Sequence, residues 1–136
     1  MQARTATRAA PDVHERFTEA LAARDLDAMA RVLAPDALLR IAGAGPTSGD
    51  YLGRGVILRH VLDERQLSSG RLRTEVAMVE VDADHAVAVR RLHAGGRTVS
   101  ETVSLQVTDG LISLIICRPN DPVAYDAFWF AFCRGR

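Results

Sequence analysis

The chain has 136 residues, enough for one domain with a substantial core and too few for two. Its content is 48% apolar and 25% charged, as in globular proteins, and its net charge is zero, so no basic excess marks it for nucleic acid. All the basic residues besides histidine are arginine, a bias that points to a GC-rich bacterial genome and excludes any lysine Schiff base or lysine general base.

Residues 1–10, "MQARTATRAA", lack the apolar run of a secretion signal and read as a disordered tail ahead of a single domain over 11–136. Pro11 and Asp12 mark a helix entry. Val13, Phe17, Ala20 and Leu21 then form one apolar stripe at helical spacing. After Asp25, a turn or cap residue like Asp36, Leu26, Met29 and Leu33 form a second, shorter stripe that Pro35 ends. "ALLRIAG" predicts a short strand and "GAGPTSGD" a loop. A third helix is expected over 54–66, with Val56, Ile57, His60, Val61 and Glu64 at helical spacing, and "SSG" closes it. Four strand-like runs follow at 73–82, 86–94, 97–108 and 111–118, the last breaks being "GG" and "DG" hairpin signals. The aromatic tail "DPVAYDAFWFAF" predicts a capping helix or turn.

Helices first and an antiparallel run afterwards define an α+β fold, with helices on one face of a curved sheet. No span of eighteen apolar residues occurs, so no membrane crossing is expected. Cys117 and Cys133 have no metal-type or disulfide-framework spacing, and a reduced, cytoplasmic setting is expected. Without clustered ligands, no metal site is expected.

One strand carries a misfit. In "TVSETVSLQV", Val99, Glu101, Val103, Leu105 and Val107 share a face, which puts a carboxylate in an apolar row.

"RFTEALAARDLDAMARVLAPDALLRI", "SGDYLGRGVILRHVL", the hairpin-linked strands and "DPVAYDAFW" together resemble the SnoaL-like branch of the ketosteroid isomerase and nuclear transport factor 2-like superfamily, over roughly residues 11–130. The resemblance implies a cone-shaped α+β barrel in which three N-terminal helices and a curved, mainly antiparallel sheet enclose an apolar pocket, usually in a homodimer. Members include polyketide cyclases, isomerases, dehydratases, epoxide hydrolases and plain binding modules, so the fold alone does not give the activity. By the same comparison Phe17 stands where the isomerases keep an oxyanion-hole tyrosine, Ile41 at their general-base aspartate and Val103 at their second oxyanion donor. None of the three can perform those steps.

The resemblance also implies that Glu101 points into the pocket, with Ala88, Arg90 and Leu92 on one strand and Ile112, Leu114, Ile116 and Arg118 on the last. Cys117 would then face outward. Glu101 is accordingly expected as acid/base, with Arg118 and then Arg90 anchoring a carboxylate or developing oxyanion, and His60 as a further acid/base group from the opposite wall. Tyr51, Asp121 and Asp126 are expected near the rim. Each has an architectural alternative: Glu101 in an ion pair with Arg90 or Arg118, His60 as a core histidine, Asp126 as a cap. His14, His85 and His93 read as surface or strand-end residues.

The expected function is a cofactor-free enzyme of cyclase, isomerase or dehydratase type acting on a small hydrophobic carbonyl compound. The alternatives are a ligand-binding or dimerisation module and an epoxide-opening hydrolase, which would need a second carboxylate or a tyrosine facing Glu101. A homodimer is expected through the outer sheet face, where Val87, Val89, Arg91 and His93 form a row.

Overall fold

The computed structural model describes the backbone of residues 2–134 and the side chains of residues 13–133. Helix α1 spans Gln2–Ala23, so the helix entry expected at Pro11 lies inside it. Its stripe buries Val13, Phe17, Ala20 and Leu21. Arg24 breaks the helix in the left-handed region at φ 51°, and the Asp25 N–H returns to the Ala20 carbonyl at 2.9 Å. Asp25 then caps α2 (Leu26–Val32), its carboxylate accepting from the Ala28 N–H at 3.1 Å.

Strand β1 (Leu33–Ile41) follows without a loop. Pro35, expected to end a helix, sits instead within β1, where the pairing register shifts between Leu33 and Leu38. A bulge tolerates the missing N–H of proline where a regular ladder would not. The last two residues of the segment read as loop, "GAGPTSGD", open β2 (Gly49–Leu52), paired antiparallel with β1. Helix α3 (Arg54–Leu67) buries Ile57, His60, Val61 and Glu64, the i, i+3, i+4, i+7 face.

Strands β3 (Arg73–Val81), β4 (His85–Ala94), β5 (Arg97–Thr108) and β6 (Leu111–Pro119) form an antiparallel meander. The β4–β5 hairpin turns on Gly95 and Gly96, at φ 59° and 73°, the paired positive values a two-residue turn of this hand requires. Strand β6 returns to lie parallel to β1, giving one six-stranded sheet of order β2-β1-β6-β5-β4-β3. The helices pack against this sheet and the core lies between them. Helix α4 (Pro122–Arg134) follows β6 and lays Tyr125, Phe128 and Trp129, all buried, across β5 and β6. Burial of side chains of this size contributes roughly 1.5–3 kcal/mol each.

Candidate functional site

The site is built where α3, β4 and β5 meet. On α3, His60 and Glu64 stand one turn apart on the buried face, so helical geometry alone brings them together. His60 Nε2 lies 3.5 Å from Glu64 Oε2. On β4, alternation puts Arg90 inward with Ala88 and Leu92. Directly opposite Arg90 in the β4–β5 register is Glu101. Arg90 donates from Nη1 to Glu101 Oε1 and from Nη2 to Glu64 Oε1, each at 2.9 Å. One guanidinium thus joins two carboxylates, all three being almost wholly removed from solvent.

Burying such groups is costly, and charge balance decides their protonation. Burial disfavours the charge on Glu64, but Arg90 and His60 outweigh it and hold its carboxyl down to about 2. For Glu101, burial and repulsion from Glu64 prevail over Arg90, and its pKa is raised. Burial alone would lower the Arg90 pKa, yet the two carboxylates raise it. One carboxylate is therefore driven toward the charged form and the other toward the neutral form, which lets the cluster approach zero net charge. The Tyr125 hydroxyl borders Glu101 and favours its charged form, although Tyr125 Oη and Glu101 Oε2 both lack a regular hydrogen-bond partner. Burial and the two carboxylates push the tyrosine pKa up, so it stays a phenol.

Beside this cluster is an internal cavity of about 20 Å³, enough for one water-sized molecule. Its walls are apolar, Phe17, Leu39, Ile41 and Val103 among them, and its ionisable groups are His60, Glu64, Arg90 and the Cys117 thiol. Burial pushes the thiol pKa well up, so Cys117 is inert as a nucleophile. Larger hollows, such as one of about 330 Å³ between α1 and α2, are open grooves on the surface.

Phe17, Ile41, His60, Arg90 and Val103 line the cavity. Glu101 does face inward, but it lies behind Arg90, fully buried, and is not part of the cavity wall. Tyr51 stands just outside, its ring 4.2 Å from that of His60 and its hydroxyl donated to the Thr47 carbonyl.

Four expectations are corrected. Strand β6 carries a register irregularity opposite Gln106 and Val107, with Ser113 as the extra residue between Ile112 and Leu114. A bulge of one residue reverses the facing of everything beyond it. Ile112 is therefore inward as expected, but Ile115 and Cys117 face the core, while Leu114, Ile116 and Arg118 lie on the outer face. Arg118 is exposed beside Thr102 and has no access to the cavity. Asp121 is a helix cap, accepting from the Ala124 N–H at 3.1 Å. Asp126 packs against Gly43 and Gly45 of the loop before β2, away from the cavity lining. His14 is no surface residue: it is fully buried and, among the described residues, neither ring nitrogen has a hydrogen-bond partner.

Glu64 went unselected from the sequence. The signal was present, since it is a carboxylate on the apolar stripe of α3, the same kind of misfit that singled out Glu101 on β5.

Helices closing one side of a bent six-stranded sheet, with a few polar groups inside an apolar interior, define the cystatin-like, nuclear transport factor 2-like class of pocket proteins. The SnoaL-like domain model matches residues 14–115, and the chain belongs to that family. Among solved structures, Bal32a from a soil-derived mobile gene cassette is 18% identical, with 91% of this chain and 98% of that one covered at a TM-score of 0.81. A candidate polyketide cyclase from Sinorhizobium meliloti is 26% identical over 82% and 97% of the two chains, with a TM-score of 0.65. A candidate ketosteroid isomerase from Kribbella flavida is 22% identical over 84% and 79%, with a TM-score of 0.68. No curated protein sequence matches the chain. Among the described residues, no helix is long and apolar enough to cross a membrane, and no group of acidic, histidine and cysteine side chains could hold a metal ion.

Proposed function

We propose that this chain is an acid–base enzyme of the SnoaL-like family that works without a cofactor on a small hydrophobic carbonyl compound, with His60 moving the proton. The observation that carries this reading is the meeting of His60, Glu64 and Arg90 on one otherwise apolar cavity. A carboxylate held near pKa 2 is a feeble base, and Glu101 lies buried behind Arg90, outside the cavity wall. Glu64 is better suited to orienting the imidazole and stabilising its protonated form, as the carboxylate does in other histidine–carboxylate pairs. In the proposed step a ring nitrogen of His60 takes a proton from the carbon next to the carbonyl, and the C–H electron pair becomes an enolate. Arg90 has an unpartnered Nε–H and a permanent charge to stabilise the enolate oxygen. Where a C=C bond adjoins that carbon, the imidazolium returns the proton to the far end of the dienolate and the double bond moves into conjugation with the carbonyl.

Ligand pockets commonly span roughly 300–1,000 Å³. The cavity of about 20 Å³ is far smaller than that, so a substrate of this class has to displace part of its wall.

A second reading, opening of a hydrophobic epoxide by water, is favoured by a cavity of about 20 Å³, the size of one water, against the His60–Glu64 pair. In that step His60, oriented by Glu64, takes a proton from water as its oxygen attacks carbon, the ring C–O bond breaks, and the imidazolium returns the proton to the leaving oxygen that Arg90 holds.

The test is proton exchange in D2O, followed by NMR, over a panel of hydrophobic ketones, with diol formation from matched epoxides measured in parallel. The proposal expects exchange above the buffer rate that His60→Gln abolishes while ligand-induced thermal shifts persist. Diol formation without exchange assigns the second reading. Thermal shifts with neither reaction make the protein a receptor and sink the enzyme proposal. Val87 and Val89, half-buried on the outer sheet face, support the further proposal of a homodimer through that face, which sedimentation as a monomer at micromolar concentration would refute.

A further inference from the structure

A second candidate site lies at the end of the sheet where α3 hands over to β3 and the β4–β5 hairpin turns. A cleft of about 250 Å³ is lined there by Arg71, Arg73, His93, Arg97, Thr98 and the hairpin glycines. Arg71, Arg73 and Arg97 are all exposed, and among the described residues none of their side chains has a hydrogen-bond or ion-pair partner. The adjacent carboxylate, Glu75, is engaged: it pairs with His93, whose other ring nitrogen meets Thr98, and it stands opposite Arg91 in the β3–β4 register. Three uncompensated guanidiniums thus border one small cleft on a chain whose net charge is zero.

The backbone carrying them is anchored. Leu72, between Arg71 and Arg73, is buried in the core, which turns its two neighbours away from it. Leu92 does the same beside His93. The tight Gly95–Gly96 turn brings Arg97 directly opposite Ala94, whose side chain is buried. The arginines therefore stand on fixed positions, and only their side chains need ordering when a ligand arrives.

We propose that this cleft binds a compact, multiply charged phosphate ligand of diphosphate type. Guanidiniums present planar forks of donors that match phosphate oxygens, and three of them match the charge of a diphosphate. No aromatic side chain lines the cleft to stack a base, and none of the large exposed apolar residues borders it. Both observations favour a small anion over nucleic acid or a lipid chain. The site is separate from the His60–Glu64–Arg90 cavity and does not depend on the activity proposed there.

Titration of the whole chain with inorganic diphosphate at low salt, by calorimetry and by amide NMR, tests the proposal. Saturable binding is expected, with shifts confined to residues around 71–73 and 93–98. Each guanidinium removed in Arg73→Ala or Arg97→Ala should weaken it about tenfold, the worth of a charged hydrogen-bond donor. Arg31→Ala, on exposed α2, should leave it unchanged. Co-sedimentation with phosphatidylcholine vesicles containing phosphatidic acid separates a free ligand from a lipid headgroup. Absence of saturable binding, equal weakening by Arg31→Ala, or binding to vesicles alone would overturn the assignment.

Discussion

Glu64 and Glu101, on a helix and a strand, hold the same guanidinium through hydrogen bonds of 2.9 Å, yet their carboxyl pKa values are driven in opposite directions. Arg90 can neutralise only one of them, and burial denies the other the solvation it would need to stay charged.

The two glutamates should therefore respond differently to the same change. Glu64→Gln leaves the buried guanidinium without its ionised partner and should cost about 3–5 kcal/mol. Glu101→Gln replaces a group inclined to be neutral by a near-isostere and should cost about 1 kcal/mol or less. Denaturant unfolding at neutral pH compares them directly, and equal costs would contradict the unequal protonation.

Their pH dependences should also have opposite signs. Glu64 is depressed from 4.5 to about 2, so its contribution is complete above pH 4.5 and drains away as pH falls toward 2. Glu101 is raised, so its contribution is complete below pH 4.5 and declines as pH rises through its elevated folded value. Unfolding free energy measured across pH should lose its acid-side slope in Glu64→Gln and its decline above pH 4.5 in Glu101→Gln.

His14 should behave as an acid-sensitive weak point. It is fully buried, both ring nitrogens lack a partner among the described residues, and burial, then His85, lower its pKa against the opposing pull of Asp84. A depressed histidine contributes stability above pH 6.5 that is lost as pH falls through its folded value. His14→Leu removes the unsatisfied polar atoms and should stabilise the protein by roughly 1 kcal/mol at neutral pH, more under mild acid. A destabilised His14→Leu would mean that the imidazole has a partner after all.

Phe17→Ala should cost about 3–5 kcal/mol and convert the small cavity into one that admits an apolar probe such as benzene. The check is a thermal shift on adding benzene, expected for the variant and absent for the natural chain.

Much of the molecule is set locally and was legible from the residues. Helical stripes and the "GG" and "DG" turns placed α2, α3 and the four-stranded meander to within a residue or two, because apolar periodicity and positive-φ turns act over a few neighbours. The alternation of β5 likewise put Glu101 in the apolar row, which the family resemblance turned inward, and the helical period put His60 on the buried face of α3. The order of strands, with β6 parallel to β1, and the short β2 depend on pairing between distant segments and were not legible in that way. The sharpest case is β6. One extra residue at Ser113 removed Arg118 from the pocket and turned Cys117 into it, since a bulge answers to the partner strand and leaves no reliable trace in composition. Tertiary structure also chose the partner of Arg90: the β4–β5 register supplied Glu101, and packing of α3 supplied Glu64, which makes a lone misfit carboxylate into one half of a shared-charge cluster.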